Sequence, residues 1–445
     1  MNVPVLPQAV RSCLDTLEQA GFPTYAVGGC VRDSVLGLTP HDYDLCSAAL
    51  PDQMKAIFSG FQLVLAGEKH GTVGVVTPEG VVEITTFRTE GGYTDNRHPN
   101  WVRFVPNIED DLARRDFTVN AMAWSPYRGF ADPFGGLEDL KNHILRAVGH
   151  PETRFREDSL RILRGVRFAV RYDLEPEHET LNAMETLGSL MDNLARERVF
   201  DELCKLLPLM KVPDLQLFAP ILTATIPELA PTLGFEQHTP HHIYDVYTHT
   251  AHVIAGVSPD LPLRWAALLH DLGKVPTCTI DENGRGHFLG HAQKSAEMAD
   301  VILRRLKAPT ALREQVVLLI RLHMTPLEPD PKLLRRRLRQ HGTETVLQLH
   351  AFQRADYTAK GTGTDFAWFD HIDALLEEIL SQDACLSLKD LAINGHDLMA
   401  LGFQGPAIGQ CLNALLDRVL DGALPNETDA LLKAAKEFDN LSFKL

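Results

Sequence analysis

The stretch YAVGGCVRDSVLGLTPHDYDL, residues 25–45, decides the fold of the first part of this chain. It begins as a strand, breaks at Gly28-Gly29, continues as an apolar-periodic segment and ends with Asp42 and Asp44. Side chains two residues apart on a strand point to the same face, so the two carboxylates are expected to converge. Two like charges at such a short distance need a compensating cation. Mg²⁺ usually binds one or two carboxylates together with substrate phosphates. The stretch therefore predicts a Mg²⁺ site at Asp42 and Asp44.

The glycine pair and Arg32 extend this interpretation to a phosphate ligand. Glycine lets the backbone approach a ligand closely, and the N–H groups at the start of a helix suit a phosphate. Each feature has an ordinary alternative, because Gly-Gly is usually a turn and Asp-x-Asp is usually a solvated loop. Found together in one short stretch, they indicate metal-dependent phosphoryl transfer.

Length and composition are those of an ordinary globular protein. The chain has 445 residues, of which 44% are hydrophobic and 23% are charged, and this length predicts about two to four domains. No apolar run reaches the roughly 18 residues of a membrane span, and the N-terminus lacks a basic segment followed by an apolar core. Seven cysteines without a CxxC pattern indicate free thiols in a reducing compartment. We therefore expect a cytoplasmic protein without membrane association.

The residues up to about 150 predict a compact α+β unit. A helix is expected over residues 7–22 and a second one from Pro51, and strand-like segments separated by Gly, Pro, Asp and Asn fill residues 61–105. The segment GGYTDNR, residues 91–97, is typical of a loop.

Glu83 lies inside the apolar run Val81–Phe87, and two interpretations of it stay open. It is either on the solvent face of a half-buried strand or a third acid beside Asp42 and Asp44. Nucleotidyl-transfer sites commonly gather three acids around two metal ions, which favours the second interpretation.

Two arginine-rich segments predict contacts with an anion. In DLARRDFTVNAMA, residues 111–123, the charged residues form either a surface ion pair, which contributes little stability, or a site where Arg115 reaches a triphosphate. In RFREDSLRILRGVRFAVR, residues 154–171, arginines recur on one helical face with few compensating acids, although the net charge of the chain is −16. A negative total does not exclude a local basic groove. The arginines on this face are Arg161, Arg164, Arg167 and Arg171.

Several motifs, in this order, resemble the class II tRNA nucleotidyltransferase and poly(A) polymerase family. They are GGCVRDSVLG with HDYDL, RRDFTVNAMA with DPFGG, and EDSLRILRGVRFAVR, and the resemblance covers about residues 20–230. It implies an α+β nucleotidyltransferase head over residues 1–150. An all-α neck and body that recognises the nucleotide base would follow over residues 151–232.

The resemblance also implies roles for individual residues. Asp42 and Asp44 would hold two Mg²⁺ ions, one activating the RNA 3′-hydroxyl and the other stabilising the leaving pyrophosphate. An Asp and an Arg in Glu157-Asp158-x-x-Arg161 would read the base edge, because a carboxylate accepts from an amine and a guanidinium donates to ring and carbonyl acceptors. Such a template selects C and A over U and G. The nucleotide-binding residues would be Gly29, Arg32, Arg115, Asp158, Arg161, Arg164 and Arg167.

A second constellation follows from residue 236, where histidine becomes frequent. In WAALLHDLGKV, residues 265–275, an adjacent His-Asp ends a buried helix, and with more distant partners it resembles the metal site of the HD phosphohydrolase superfamily. The resemblance implies a helical HD domain over residues 233–365 that hydrolyses a phosphoester through a metal-bound hydroxide. Imidazole with carboxylate suits Mn²⁺, Ni²⁺, Fe or Mg²⁺, and the sequence leaves the metal open. The candidate ligands are His249, His270, Asp271 and Asp356, with His291 and His323 for a second metal ion.

Residues 366–445 predict a helical tail. The segment DLAINGHDLMALGFQGPAIGQCLNALLDRVLDGALPN is similar to the tail of bacterial CCA-adding enzymes. A helix starting near Pro406 would either offer backbone amides to an RNA phosphate or simply pack. The segment KLLRRRLR, residues 332–339, is either an exposed basic helix face or a contact with a phosphate backbone.

Together these features predict template-independent addition of CCA to the 3′ end of tRNA from CTP and ATP, with an accessory HD phosphohydrolase activity. The alternatives within the same fold are a poly(A) polymerase and an enzyme that adds only CC or only A. An alternative of another class is an HD hydrolase of nucleotides or cyclic phosphodiesters whose head only binds RNA. The oligomeric state stays open.

Overall fold

The computed structural model describes residues 2–93, 99–362, 365–381 and 385–442. The chain forms two compact units. The first comprises the chain up to Ala230 together with Arg305–Lys307, and the second comprises Pro231–Arg304 and the chain from Ala308 onward. The predicted division into four segments, with boundaries near 150, 232 and 365, stays a prediction.

The first unit is built around a seven-stranded sheet with the order β3-β4-β5-β2-β1-β8-β9. All neighbours in it are antiparallel except β2 and β5, which run parallel. β6 and β7 form a separate antiparallel pair, so residues 91–93 of the predicted loop belong to a strand, while residues 94–97 lie outside the described residues. The strands are β1 Thr24–Val27, β2 Asp44–Ser47, β3 Leu63–Val64, β4 Thr72–Thr77, β5 Gly80–Thr86, β6 Arg88–Tyr93, β7 Pro99–Phe104, β8 Ala123–Ser125 and β9 Gly129–Ala131.

The first helices of this unit pack on the sheet, and the later ones form a largely helical part that follows it in the chain. In the first one the apolar stripe Val10, Cys13, Leu14 and Leu17 is buried, which confirms the helix predicted at the N-terminus. Two short parallel strands, β10 Ile144–Leu145 and β11 Glu175–Pro176, link the start and the middle of the helical part, so this part is not entirely helical. The helices are α1 Gln8–Gln19, α2 Gly29–Val35, α3 Pro51–Ile57, α4 Ile108–Leu112, α5 Gly136–Lys141, α6 Pro151–Glu157, α7 Leu160–Tyr172, α8 His178–Thr186, α9 Arg196–Leu206, α10 Val212–Leu217 and α11 Ala219–Thr225.

The second unit is helical apart from a small hairpin of β12 Thr279–Ile280 and β13 Gly286–His287. Its last helices share a core of their own that includes Leu398, Cys411, Leu415 and Leu431. The predicted order of an α+β head followed by a largely helical remainder is therefore confirmed. The helices are α12 Val246–Gly256, α13 Leu261–Leu269, α14 Lys274–Thr277, α15 His291–Arg305, α16 Thr310–Leu322, α17 Pro331–His341, α18 Thr343–Ala359, α19 Ala367–Ser381, α20 Gly395–Ala400, α21 Pro406–Leu420 and α22 Thr428–Ser442.

The structure can be compared with two expectations from composition, which concern membrane spans and free thiols. Across the part of the chain that the structure describes, every helix is too short or too polar to cross a membrane. Cys13, Cys30 and Cys46 carry free thiols and are buried in the first unit.

Candidate active site and candidate metal centre

The opening stretch folds into β1, a tight turn, α2 and β2, and the turn is made by Gly28. Its φ of 70° and ψ of −125° suit glycine, and a Cβ there would lie 2.6 Å from Nη1 of Arg115. Val27 pairs with Asp44 in the antiparallel register of β1 and β2. The turn therefore brings the start of α2, the first residue of β2 and Arg115 to one edge of the sheet.

Asp42 and Asp44 line the same cleft, but not for the reason that strand alternation predicts. β2 begins at Asp44, so Asp42 belongs to the preceding loop and both side chains are exposed. Glu83 is the register partner of Asp44 in the parallel pair β2–β5, and it is exposed as well. The surrounding protein and the carboxylates of Glu83 and Asp42 raise the pKa of Asp44, while Arg115 opposes the shift. Repulsion among these carboxylates is the kind of arrangement that a divalent cation with oxygen ligands relieves, although among the described residues their oxygen atoms do not gather as closely as the ligand atoms of the second unit do.

A cleft of about 620 Å³ collects every head and neck residue that the sequence predicts for the site except Glu83. Eight arginines and five aspartates face it, so its charge is positive although that of the chain is −16. The predicted residues that line it are Gly29, Arg32, Asp42, Asp44, Arg115, Asp158, Arg161, Arg164 and Arg167.

Arg32 is buried in the wall of the cleft and largely occupied by protein partners. Its guanidinium lies 4.1 Å from the ring centroid of Tyr172 and donates to the Tyr172 hydroxyl over 2.5 Å. It also donates to Asp33 through Nε and Nη2, over 2.9 and 2.7 Å, and to Asn120 through Nη1. Among the described residues these bonds take four of its five N–H groups, which leaves one on Nη1 for a ligand. Its predicted contact with a triphosphate is thus limited to that group.

Three of the four arginines on this face of α7 are paired with acids, which makes the expectation of few compensating acids wrong. Arg161 contacts Glu157 at 2.8 Å, Arg164 contacts Asp116 at 2.7 Å, and Arg167 contacts Glu202. Two of these acids come from distant parts of the sequence, so a count along the helix misses them. Arg161 and Arg167 are also buried rather than solvated.

The Arg164–Asp116 pair shows how strongly these charges depend on each other. Burial alone would raise the pKa of Asp116, but Arg164, together with a hydrogen bond from Asn120, holds it well below its ordinary value. Asp116 Oδ2 accepts from Nε and Nη2 of Arg164 over 3.0 and 2.7 Å. The arginine is therefore fixed in place at the cleft and cannot swing freely toward a ligand.

Asp158 and Arg161, the predicted base-reading pair, both face the cleft. Asp158 lies in extended conformation between α6 and α7, and Arg161 follows in the first turn of α7. Asp158 accepts from Nη2 of Arg198 over 2.9 Å. Sequence reasoning missed Arg198; its only signal is the charged start of the helix in ARERVF, residues 195–200.

In the second unit, histidines and aspartates from α12, α13 and α18 converge on one point. Nε2 of His249 lies 2.9 Å from Oδ1 of Asp356 and 3.5 Å from Oδ2 of Asp271. Nε2 of His270 lies 3.2 Å from the same Asp271 oxygen. Ligand atoms of His249, His270 and Asp271 lie within 4.8 Å of one another, and so do those of Asp271 with His291 and His323. The two sets share Asp271, as two adjacent metal ions would require.

Backbone carbonyls orient the histidine rings of this cluster. Each ring donates from Nδ1 to a carbonyl, over 3.2 Å in His249, 2.8 Å in His270 and His291, and 2.6 Å in His323. Nε2 of each ring is thereby left for the interior, the arrangement expected of metal-ligating imidazoles. Among the described residues, Nε2 of His270, Nε2 of His291 and Oδ1 of Asp271 are buried without a hydrogen-bond partner, while Oδ2 of Asp271 faces the ammonium group of Lys274. A divalent cation would satisfy these atoms.

The charged groups of the cluster strongly shift one another's pKa values. Burial alone would lower the pKa of His270, but Asp271 and Asp356 raise it to about 9. Burial and His270 lower the pKa of His323 to about 4. Lys274 approaches Asp271 to 2.7 Å.

Close packing holds this cluster together at Gly273. A Cβ there would lie 2.4 Å from the carbonyl oxygen of His291. Only glycine therefore lets α15 approach the turn that follows His270-Asp271. The motif HDLG thus combines two candidate ligands with the residue that brings a third one near.

The basic helix α17 is neither a free basic face nor fully available to a phosphate backbone, because acids of the tail pair with part of it. Lys332 and Arg336 contact Asp421 at 3.1 and 2.9 Å, and Arg339 contacts Asp417 on α21. Three of the five basic residues in KLLRRRLR are thus engaged by the tail, which leaves less of this face for a phosphate backbone.

Comparison with known proteins places these features in a family. Models of three protein families match successive parts of the chain. The Poly A polymerase head domain matches residues 24–146, the probable RNA and SrmB-binding site of polymerase A matches residues 173–209, and tRNA nucleotidyltransferase domain 2 matches residues 286–435.

Whole relatives are similar over nearly their full length. The CCA-adding enzyme of Latilactobacillus sakei (strain 23K) is 35% identical over 429 residues, which are 95% of this chain and 96% of that protein. The CCA-adding enzyme of Streptococcus gordonii (strain Challis) is 33% identical over 98% of this chain and 100% of its own. The crystal structure of the Bacillus stearothermophilus CCA-adding enzyme in complex with CTP covers 98% of both chains, with 29% identity and a TM-score of 0.72.

Proposed function

This chain belongs to the CCA-adding enzymes, which are tRNA nucleotidyltransferases that add CCA to the 3′ end of tRNA, and we propose that it carries out this reaction in the cleft at Asp42 and Asp44. It takes CTP and ATP and needs no nucleic-acid template. The observation that carries the proposal is that Asp42 and Asp44 line one cleft with Arg115, Asp158 and Arg161, while Glu83 pairs in register with Asp44. A relative solved with CTP supports CTP as a substrate.

Asp42 and Asp44 in the cleft, with Glu83 beside Asp44 in the sheet, would hold the catalytic metal. Mg²⁺, when bound, neutralises the triphosphate, lowers the pKa of the attacking 3′-hydroxyl and stabilises the leaving pyrophosphate. Arg115 and the amides at the start of α2, which begins at Gly29, face the phosphates. These groups position the α-phosphate for in-line attack by the RNA end.

The base is held at the other end of the cleft. Asp158 accepts from the exocyclic amine, and Arg161 donates to the ring and carbonyl acceptors. Arg164 and Arg167 complete the pocket around the nucleotide, each fixed by an acid. Fixed donors and acceptors cost no reorganisation when the correct nucleotide arrives.

An extension assay tests this function. The protein is incubated with Mg²⁺ and a tRNA that lacks CCA, with labelled CTP or ATP separately and together. Growth by three residues, with both nucleotides required, is the expected result. Long A tracts would instead identify a poly(A) polymerase, and growth that stops at CC or needs a CC end would identify an enzyme of partial addition.

We also propose that His249, His270, Asp271 and Asp356 bind a divalent metal and hydrolyse a phosphoester, with His291 and His323 ready to hold a second ion. Support comes from the buried, unsatisfied ligand atoms and the Nδ1 contacts that aim the rings inward. The metal, Mn²⁺, Ni²⁺, Fe or Mg²⁺, would supply a hydroxide at neutral pH. Lys274 and Lys360 border the cavity and would face the phosphate.

Two variants separate the sites. Asp42→Ala should abolish nucleotide addition and leave metal-dependent hydrolysis of bis-p-nitrophenyl phosphate intact, and Asp271→Asn should do the reverse. Metal content measured by mass spectrometry should fall only in Asp271→Asn. Loss of both activities in either variant would refute the division into two sites.

A further inference from the structure

Helix α9 carries two opposite charges one turn apart, and each holds a cleft residue of the first unit. Arg198 bonds to Asp158, and Glu202 bonds to Arg167. α9 packs against α7 through the buried Val199 and Leu203. The helix thus supports Asp158 and Arg167 at the cleft, which Arg198 itself also lines, although the sequence did not indicate a part for these residues in the reaction.

The bonds of Asp158 leave it one acceptor position. Oδ1 accepts from the Leu160 amide over 3.1 Å and from Nη1 of Arg198 over 3.3 Å. Oδ2 accepts from Nη2 of Arg198 over 2.9 Å. A carboxylate offers about four acceptor positions, so among the described residues one remains, on Oδ2.

The bonds of Arg161 leave it two donors. Nη1 donates to Glu157 over 2.8 Å and to the Arg154 carbonyl over 3.1 Å. Nη2 donates to the Arg114 carbonyl over 3.0 Å. A guanidinium has five N–H groups, so within the described part of the chain Nε and one Nη2 hydrogen remain for a ligand.

We propose that Arg198 is a positioning residue that sets nucleotide selection by restricting Asp158 to this single acceptor; the inference rests on the proposed function of the cleft. One acceptor and two donors match cytosine, which presents an amine, a ring nitrogen and a carbonyl. Adenine matches through its amine and one ring nitrogen. Uracil and guanine present a carbonyl where the amine would be, and that oxygen meets the acceptor of Asp158. A site built this way rejects them because its polar groups would be left unpaired.

Arg198 borders the cleft, and the role proposed for it is exerted through Asp158, whose carboxylate it orients. Without the two hydrogen bonds from the Arg198 guanidinium, the Asp158 carboxylate can rotate about its side-chain bonds and offer several geometries instead of one. A lysine in its place would keep the charge but provide no bidentate pairing. Selectivity, rather than nucleotide addition as such, is therefore the property that depends on Arg198.

The test compares Arg198→Met and Arg198→Lys with Arg196→Met. Arg196 is the matched control, since it lies two residues away on the same helix and bonds to Asp192. Single additions are measured on tRNA lacking CCA with CTP and UTP, and on tRNA ending in CC with ATP and GTP. Arg198→Met should lower the CTP/UTP and ATP/GTP ratios of kcat/KM about tenfold or more, the order expected for one lost charge-assisted pair. The ratios of Arg198→Lys should lie between those of Arg198→Met and the wild type. The ratios of Arg196→Met should equal those of the wild type.

The outcomes separate this inference from the function on which it rests. A wild type that adds neither CTP nor ATP would refute the proposed function. A wild type that adds both, with unchanged ratios in Arg198→Met and Arg198→Lys, would overturn the role of Arg198 alone. An equal loss with all four nucleotides would also overturn it, because a merely structural residue behaves that way. Should Arg198→Met fail to fold, as judged by thermal melting, the ratio in Arg198→Lys decides.

Discussion

Replacing Gly28 with alanine perturbs the cleft in a way that the structure lets one quantify. Gly28 has φ 70° and ψ −125°, a conformation that costs a side-chain-bearing residue about 1–3 kcal/mol. The new Cβ would also lie 2.6 Å from Nη1 of Arg115, so the guanidinium must move. Arg115 faces the cleft beside Asp44 and also contacts Asp111 at 3.4 Å. The substitution therefore combines backbone strain with displacement of the Arg115 guanidinium from its position at the cleft.

Two measurements separate these effects. Urea unfolding should show a free energy of unfolding lower by about 1–3 kcal/mol. Single-turnover addition of CTP should fall by about 100-fold, because a misplacement of about 1 Å in an active site can cost that much. Both assays are run at the same temperature and Mg²⁺ concentration.

Gly21→Ala is the matched control in the same unit. Gly21 has φ 87°, and no atom of the described residues lies within 4 Å of its ideal Cβ. Its replacement should cost similar stability and leave addition of CTP unchanged. If Gly28→Ala keeps wild-type activity, or if both variants lose activity equally, the close approach of Arg115 is not what the glycine protects.

Three further predictions follow from the two sites. Glu83→Gln should lower kcat for CTP addition about 10- to 100-fold without changing the KM for tRNA, measured by steady-state kinetics. Asp116→Asn should lower the free energy of unfolding at pH 7 by about 1–2 kcal/mol, measured in urea. Folding lowers the pKa of Asp116, so the ionised carboxylate contributes its full stabilisation at any pH above the ordinary aspartate pKa of about 3.9. Below that pH the contribution is progressively lost, and the difference in unfolding free energy between Asp116→Asn and the wild type should shrink. Mn²⁺ should raise the melting temperature of the wild type but not of His270→Ala, as calorimetry would show.

The sequence was informative where chemistry is local. Asp42 and Asp44 lie close in the chain, so their convergence survives the wrong premise that both are on a strand. The adjacent His270-Asp271 at the end of an apolar helix likewise identified the centre of the second cluster, where His249, His291 and His323 also lie. Short-range motifs of this kind carry their geometry with them.

The sequence was uninformative where pairing is long-range. Whether Glu83 faces Asp44 depends on the parallel register of β2 and β5, which a one-residue slip would reverse. The acids that neutralise Arg164 and Arg167 are Asp116 and Glu202. Both lie outside α7, so the residue pattern of this helix gives no sign of them. Arg198 was missed for the same reason.

These long-range pairs change how the cleft is understood. A row of free arginines would attract any nucleoside triphosphate by charge alone, and would do so equally for all four bases. Arginines already bonded to Asp116, Glu157 and Glu202 keep few donors, and those donors have fixed directions. Binding then depends on whether the base edge matches the remaining groups, because a rigid site cannot relax around a mismatch. In the proposed function, the acids that reduce the positive charge of the cleft would thus convert attraction for a triphosphate into a choice between bases.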